Sequence, residues 1–338
     1  MLRTPNPTRP RNADELLDPR LVAQIGRLDI SSRRIFAGKL KGERRSKKRG
    51  ESVEFADHRP YALGDDIRHI DWNIFGRLDR LFLKLFLEEE DLSLHLVLDA
   101  TGSTDCGQPG KFLFMQKAAM ALAYVGLVNL NRVAITAVGG AVETGGEKEE
   151  ERGGHTGDLL GDGHGSESRA TGTALHFVRD LRGRRRVHDA SRFLCALRPG
   201  GDADFAEASK RIALARRGKG VMVVMSDFLM KEGYENALRL LVGRGYDVIA
   251  LQVLSPQEVK PRETLAGDLR LRDIEDGDRA EVTISAPLLK RYERTLAAYC
   301  DGLRQFCARR EMTHLLVTSD TPIDTLLLEY LRSRGVVR

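Results

Sequence analysis

From residue 91 onward the chain alternates between short apolar runs and stretches whose apolar positions recur every three or four residues. The runs 94–99, 132–138, 220–226, 246–253 and 313–317 read as strands. The stretches 111–128, 188–197, 203–216, 232–243, about 287–309 and 322–334 read as helices. Several strand runs, such as Val221-Met222-Val223-Val224-Met225, are apolar at consecutive positions, as in strands buried on both faces. The alternation therefore predicts an α/β protein with a doubly wound, mostly parallel sheet. Two further runs, 269–274 and 280–284, are separated by Glu275-Asp276-Gly277-Asp278 and predict a late β-hairpin excursion within about 262–285.

Before residue 91 the pattern is less regular. Residues 1–20 carry prolines and charges and are expected to form a disordered tail. Leu21, Val22, Ile25, Leu28, Ile30, Ile35 and Phe36 suggest a helix of irregular period, and 81–87 reads as a strand, so 21–90 is expected to pack as an N-terminal segment on a main domain of 91–338. Residues 145–186 are rich in glycine, histidine, acids and arginines and are expected to be a mobile insertion, with room for a helical turn over 173–181. His155, His164 and His176 within it lack the regular spacing of metal ligands and read as part of a solvated loop.

Composition adds few constraints. A 41% hydrophobic share in 338 residues can fill a sizeable core. The net charge of +5 is unevenly placed, with six cations between Lys41 and Arg49. That run has no aromatic side chains to stack bases, so nucleic acid is not the expected partner. The four cysteines (Cys106, Cys195, Cys300, Cys307) have no CxxC spacing and are expected to be free thiols. The opening MLRTPNPTRPRNADELL lacks the apolar core of a signal peptide. No apolar stretch reaches the roughly 18 to 20 residues a bilayer requires, and the longest candidate, 118–130, fits a buried helix. A cytoplasmic protein without a membrane span is the expectation.

The candidate chemistry lies where an apolar run breaks into oxygens, at Leu98-Asp99-Ala100-Thr101-Gly102-Ser103. In an open parallel sheet ligands bind beyond the carboxyl ends of the strands, which is where Asp99 falls. One carboxylate and two hydroxyls alternating through a loop make a hard-oxygen set suited to Mg²⁺ or Mn²⁺. A second strand end supplies Ser226-Asp227. If the two strands are neighbours, Asp227 faces the same cavity.

This DxTxS, the late SD and the glycine-rich turn Pro199-Gly200-Gly201-Asp202 between them resemble the von Willebrand factor A fold and its metal-ion-dependent adhesion site. Asp202 stands where that pattern has threonine. Upstream, the block RPYALGDDIRHIDW resembles the signature of domain-of-unknown-function family 58, with Arg59, Tyr61, Gly64, Asp65, Asp66, Arg68, Asp71 and Trp72 at the matching positions. Its close-set opposite charges predict an ion-pair and hydrogen-bond network. Trp72, Ile67 and Ile70 are expected to turn inward, with Asp65 or Asp66 capping a short helix.

The resemblance implies a non-enzymatic adaptor that holds a divalent cation at Asp99, Thr101, Ser103, Asp202 and Asp227 and works with a MoxR-type AAA+ ATPase in chaperone-like assembly. The alternative is a Mg²⁺-dependent phosphotransferase of haloacid-dehalogenase type with Asp99 as nucleophile. That chemistry wants a second aspartate at position 101, where this chain has Thr101.

Overall fold

The structure is a computed structural model that describes residues 9–31, 55–62, 65, 67–86, 92–143, 164–167, 173–215, 220–243, 245–263, 268–272 and 279–338. The chain divides into two compact units, one of residues 1–39 and 92–338, the other of residues 40–91.

The larger unit is built on a seven-stranded sheet. Its strands are β1 (Ser93–Asp99), β2 (Arg132–Val138), β3 (His164–Glu167), β4 (Leu175–Leu181), β5 (Gly220–Ser226), β6 (Tyr246–Leu254) and β7 (Thr313–Thr318). They lie in the order β7-β6-β5-β1-β2-β4-β3. The first five in that order pair in parallel, and β4 and β3 add an antiparallel edge. The helices are α1 (Lys111–Val128), α2 (Val187–Ala196), α3 (Phe205–Ala215), α4 (Glu235–Val242) and α5 (Ala286–Ala308). The unit is thus a mixed α/β fold with a mostly parallel central sheet, compatible with double winding.

Side chains leave a strand on alternate faces, and here both faces are covered. Leu94, Leu96 and Leu98 of β1 and Val221, Val223 and Met225 of β5 join a core that includes α1. Val97, Met222 and Val224 join the opposite core, with α3, α4 and part of α5. The consecutive apolar run in β5 follows from this, because neither face meets water. Helix α1 is buried around most of its circumference. By length and composition it alone among the described helices could cross a membrane, but 78% of it lies inside the fold, as expected of a core helix.

Several expectations need correction. The proposed tail to residue 20 contains a helix at Ala13–Leu16, capped by Asn12, with Leu16 and Leu17 buried in the α1 core. The helix sought from Leu21 runs Pro19–Ile25 and is capped by Asp18; Ile35 and Phe36 lie outside the described residues. The expected 145–186 loop holds β3 and β4, and 175–181 is strand rather than helical turn; His155 lies outside the described residues. The expected last helix is present over residues 323–333, but its middle, Leu326–Leu331, winds as a wider π turn. The late hairpin is present, Asp268–Arg272 against Arg279–Thr283. All four cysteines are free.

The smaller unit pairs strands Phe55–Pro60 and Phe82–Phe86 antiparallel and carries a helix at Trp72–Leu78. Arg59 grips Asp65 with two hydrogen bonds of 2.7 and 2.6 Å, which raise the arginine's pKa and hold the carboxyl below its usual range. Asp71 caps the helix through Asn73 and Ile74 N–H and receives His58 Nε2 at 3.0 Å. The helix cap is therefore Asp71, while Asp65 accepts from Ala62 N–H in the preceding turn. Tyr61 is half-buried and Arg68 exposed; Gly64, Asp66 and the 41–49 run lie outside the described residues. Ile70 is buried, but Ile67 and Trp72 are each 63% exposed, contrary to the expected inward face. The 3-10 turn covers only 67–69, and Ile70 lies beyond it in a bridge to Leu83, so no helical face is shared by the two isoleucines.

Candidate functional site

β1 and β5 are hydrogen-bonded neighbours, and the chain leaves them in opposite directions across the sheet, β1 toward β2 and β5 toward β6. Their carboxyl ends therefore flank a topological switch point, where divergent connections open a crevice. A cavity of about 100 Å³ lies there, lined by Asp99, Thr101, Ser103, Asp202 and Asp227, with Met230, Lys231 and Glu232 among the residues completing its wall. The structure thus brings all five proposed cation ligands to one cavity, although Asp99 and Ser226 are 127 residues apart in sequence.

The hydrogen bonds fix which groups donate. Phe228 N–H donates to Ser226 Oγ (2.9 Å), and the Ser226 hydroxyl donates to Asp99 Oδ2 (2.6 Å). Thr101 gives Asp99 Oδ1 both its N–H (3.1 Å) and its hydroxyl proton (2.8 Å). Thr101 Oγ1 and Ser103 Oγ lie 2.9 Å apart, and since the single Thr101 proton is committed to Asp99, Ser103 is the donor in that pair. With those protons spent inside the cluster, the remaining lone pairs of Asp99, Thr101 and Ser103 form an acceptor face.

The electrostatics concentrate negative charge here. Burial, and next the charge of Asp227, push the Asp99 carboxyl up, against the hydrogen bonds from Ser226 and Thr101. Among the described residues no basic side chain pairs with Asp99. Asp227, also buried, is held differently: Oδ2 accepts from Lys111 Nζ at 2.7 Å and Oδ1 from Leu229 N–H at 3.0 Å. Lys111 also donates to Glu258 Oε1 at 2.9 Å and is wholly buried. Burial alone would lower the ammonium's pKa, but Asp227 and then Glu258 outweigh it and move it upward, so Lys111 stays charged. Cys106 lies beside this group, its thiol pushed up to about 11 chiefly by burial, and is not a thiolate nucleophile at neutral pH.

Main-chain contacts hold the frame. Gly102 N–H donates to Gly201 O, Gly140 N–H to Gly200 O, and Gly200 N–H to Ala100 O, at 2.9, 3.0 and 2.9 Å. These bonds fasten the turn bearing Asp202 to the loops after β1 and β2. Asp202 itself is exposed and accepts from Ala203 N–H. Gly140 has φ of 69°, and a Cβ there would meet Ala100 O at 3.0 Å and run into Arg198 O, so only glycine fits the crossing. Phe228 adopts a left-handed φ of 56° after Asp227, held by its N–H bond to Ser226 and by Tyr299 Oη, which donates to its carbonyl at 2.5 Å.

The sequence matches the family described as "Protein of unknown function DUF58" over residues 57–151 and 160–300. The chain belongs to the DUF58 family. This DUF58 protein is similar to uncharacterized proteins of Mycobacterium bovis and Mycobacterium tuberculosis, 26% identical over 285 residues, covering 83% of this chain and 80% of each relative. A Mycobacterium avium protein, also described as uncharacterized, is 32% identical over 96 residues, covering 28% of this chain and 55% of its own length.

Three site residues went unassigned from sequence. Ser226 was visible beside Asp227, but its bond to Asp99 depends on β1 and β5 being adjacent. Glu258 belongs to the capping box Ser255-Pro256-Gln257-Glu258, a pattern readable as a helix start though not as a partner for a buried cation. Lys111 gave one signal. A cation at the head of a mostly apolar helix opposes the helix dipole and needs carboxylates nearby.

Proposed function

We propose that this DUF58 chain is a non-enzymatic interaction module of von Willebrand factor A type that presents a divalent cation at the carboxyl ends of β1 and β5. The observation that carries the reading is the proton-spent oxygen face of Asp99, Thr101 and Ser103, backed by a buried carboxylate with only neutral donors. A face of lone pairs around uncompensated negative charge fits a hard cation. Asp99, Thr101 and Ser103 would hold Mg²⁺ or Mn²⁺, with Asp202 adding charge from the cavity wall, while Asp227 is ion-paired to Lys111. Bound there, the ion would offer an open position to an acidic side chain of a partner. Ser226 orients Asp99, and the main-chain bonds between the two loops keep the ligands in place before any partner arrives.

The partner we propose is a MoxR-type AAA+ ATPase, in chaperone-like assembly in the cytoplasm. The test has two parts. Mg²⁺ or Mn²⁺ should raise the melting temperature of the full chain. At a hundred times the dissociation constant the stabilisation is about 2.7 kcal/mol, a shift of several degrees. Asp99→Ala should abolish the shift, and chelation should release a co-purified ATPase. No shift at millimolar cation counts against the site. Turnover of an aryl phosphate that is lost in Asp99→Asn would favour the phosphotransferase instead.

A further inference from the structure

We propose that Lys111 is a built-in counter-cation that sets how strongly the strand-end site holds a divalent ion, which rests on the cation reading above. Its side chain is wholly buried and bound to two carboxylates from two different strand ends, Asp227 after β5 and Glu258 after β6. It sits at the first position of α1, where the helix dipole disfavours positive charge. Replacing a buried ion pair by apolar side chains is often neutral or stabilising, so packing alone does not call for the ammonium.

Its effect on the cavity follows from the bonding. Asp99 and Asp227 both line the cavity, but each oxygen of Asp227 is already engaged, one by Lys111 and one by Leu229 N–H. An incoming cation therefore meets one uncompensated buried carboxylate, Asp99, and a fixed positive charge behind the other. Glu258 moderates this charge. Its Oε2 is fixed by Ser255 N–H and Oγ at 2.7 and 3.0 Å, and its Oε1 shares the ammonium with Asp227. Without Glu258 the ammonium would rest on Asp227 alone, and the site would be weaker.

The two partners thus predict opposite shifts. Mn²⁺ binding to the full chain is followed by the loss of the free-ion electron-paramagnetic signal. Lys111→Met should bind at least tenfold more tightly than wild type, equivalent to about 1.4 kcal/mol. Lys111→Arg, which keeps the charge, should stay near wild type, and Glu258→Gln should bind several-fold more weakly. Circular dichroism establishes that each variant is folded; should Lys111→Met not fold, the Glu258→Gln shift decides. Equal affinity in wild type and the folded variants overturns the role of Lys111 and leaves the cation reading intact. Binding by Lys111→Met but not by wild type supports the counter-cation and overturns the cation reading for the natural chain. Absence of binding throughout overturns both.

Discussion

Ser226→Ala probes the hydrogen-bond chain on which the site's polarity depends. The hydroxyl is fully buried, accepts from Phe228 N–H and donates to Asp99 Oδ2. Alanine strands that N–H, at roughly 1–3 kcal/mol, and removes a hydrogen bond to a charged acceptor, worth roughly 1.5–3 kcal/mol. The expected loss is about 3–5 kcal/mol at neutral pH, read from urea unfolding followed by far-ultraviolet circular dichroism. The loss should also depend on pH. The Ser226 bond favours the ionised carboxylate and pulls the Asp99 pKa down, so its contribution is present while Asp99 is charged and fades as that group takes up a proton. Because burial and Asp227 push the carboxyl up, the fading should begin above the ordinary aspartate range. Ser226→Thr, which keeps the hydroxyl, should recover most of the stability. A loss below about 1 kcal/mol, or one unchanged between neutral and acid solution, would refute the assigned donor directions.

Two other substitutions test the surroundings. His314 donates from Nε2 to Gln252 Oε1 at 3.1 Å, and Gln252 in turn donates to the Asp227 carbonyl. Burial first, then the charges of Arg304 and Arg334, depress its pKa to about 4. A lowered histidine pKa means stability is lost as pH falls from the ordinary histidine value through about 4; the loss is on the order of 2 kcal/mol after allowing for partial exposure, and His314→Gln should flatten that acid limb of the unfolding profile. Gly140→Ala should cost about 1–3 kcal/mol in denaturant unfolding and weaken Mn²⁺ binding, since the backbone oxygens it meets cannot rotate away as a flexible side chain could.

The central strands were legible because burial on both faces leaves consecutive apolar residues, as in β5, and α1 because 111–128 is apolar nearly throughout. The approach of Asp99 to Asp227 could be expected from their shared place at strand ends, but it required β1 and β5 to be neighbours, which no local pattern specifies. β4 was missed for the converse reason. Lying between β2 and the edge strand β3, it is only partly buried, and Leu175-His176-Phe177-Val178-Arg179-Asp180-Leu181 alternates too imperfectly to stand out from its glycine-rich flanks. Lys111 and Glu258 were hidden because they are 147 residues apart and meet only in the folded chain.

The sole tryptophan, Trp72, sits on the exposed face of the helix in the 40–91 unit, edge-on to Phe75. Its emission consequently reports on the surroundings of that helix. A collisional quencher should dim it in the native state, and a denaturation curve drawn from it can part company with one drawn from circular dichroism. Intrinsic tryptophan fluorescence therefore follows the 40–91 unit, while circular dichroism follows the helices and strands of the whole chain.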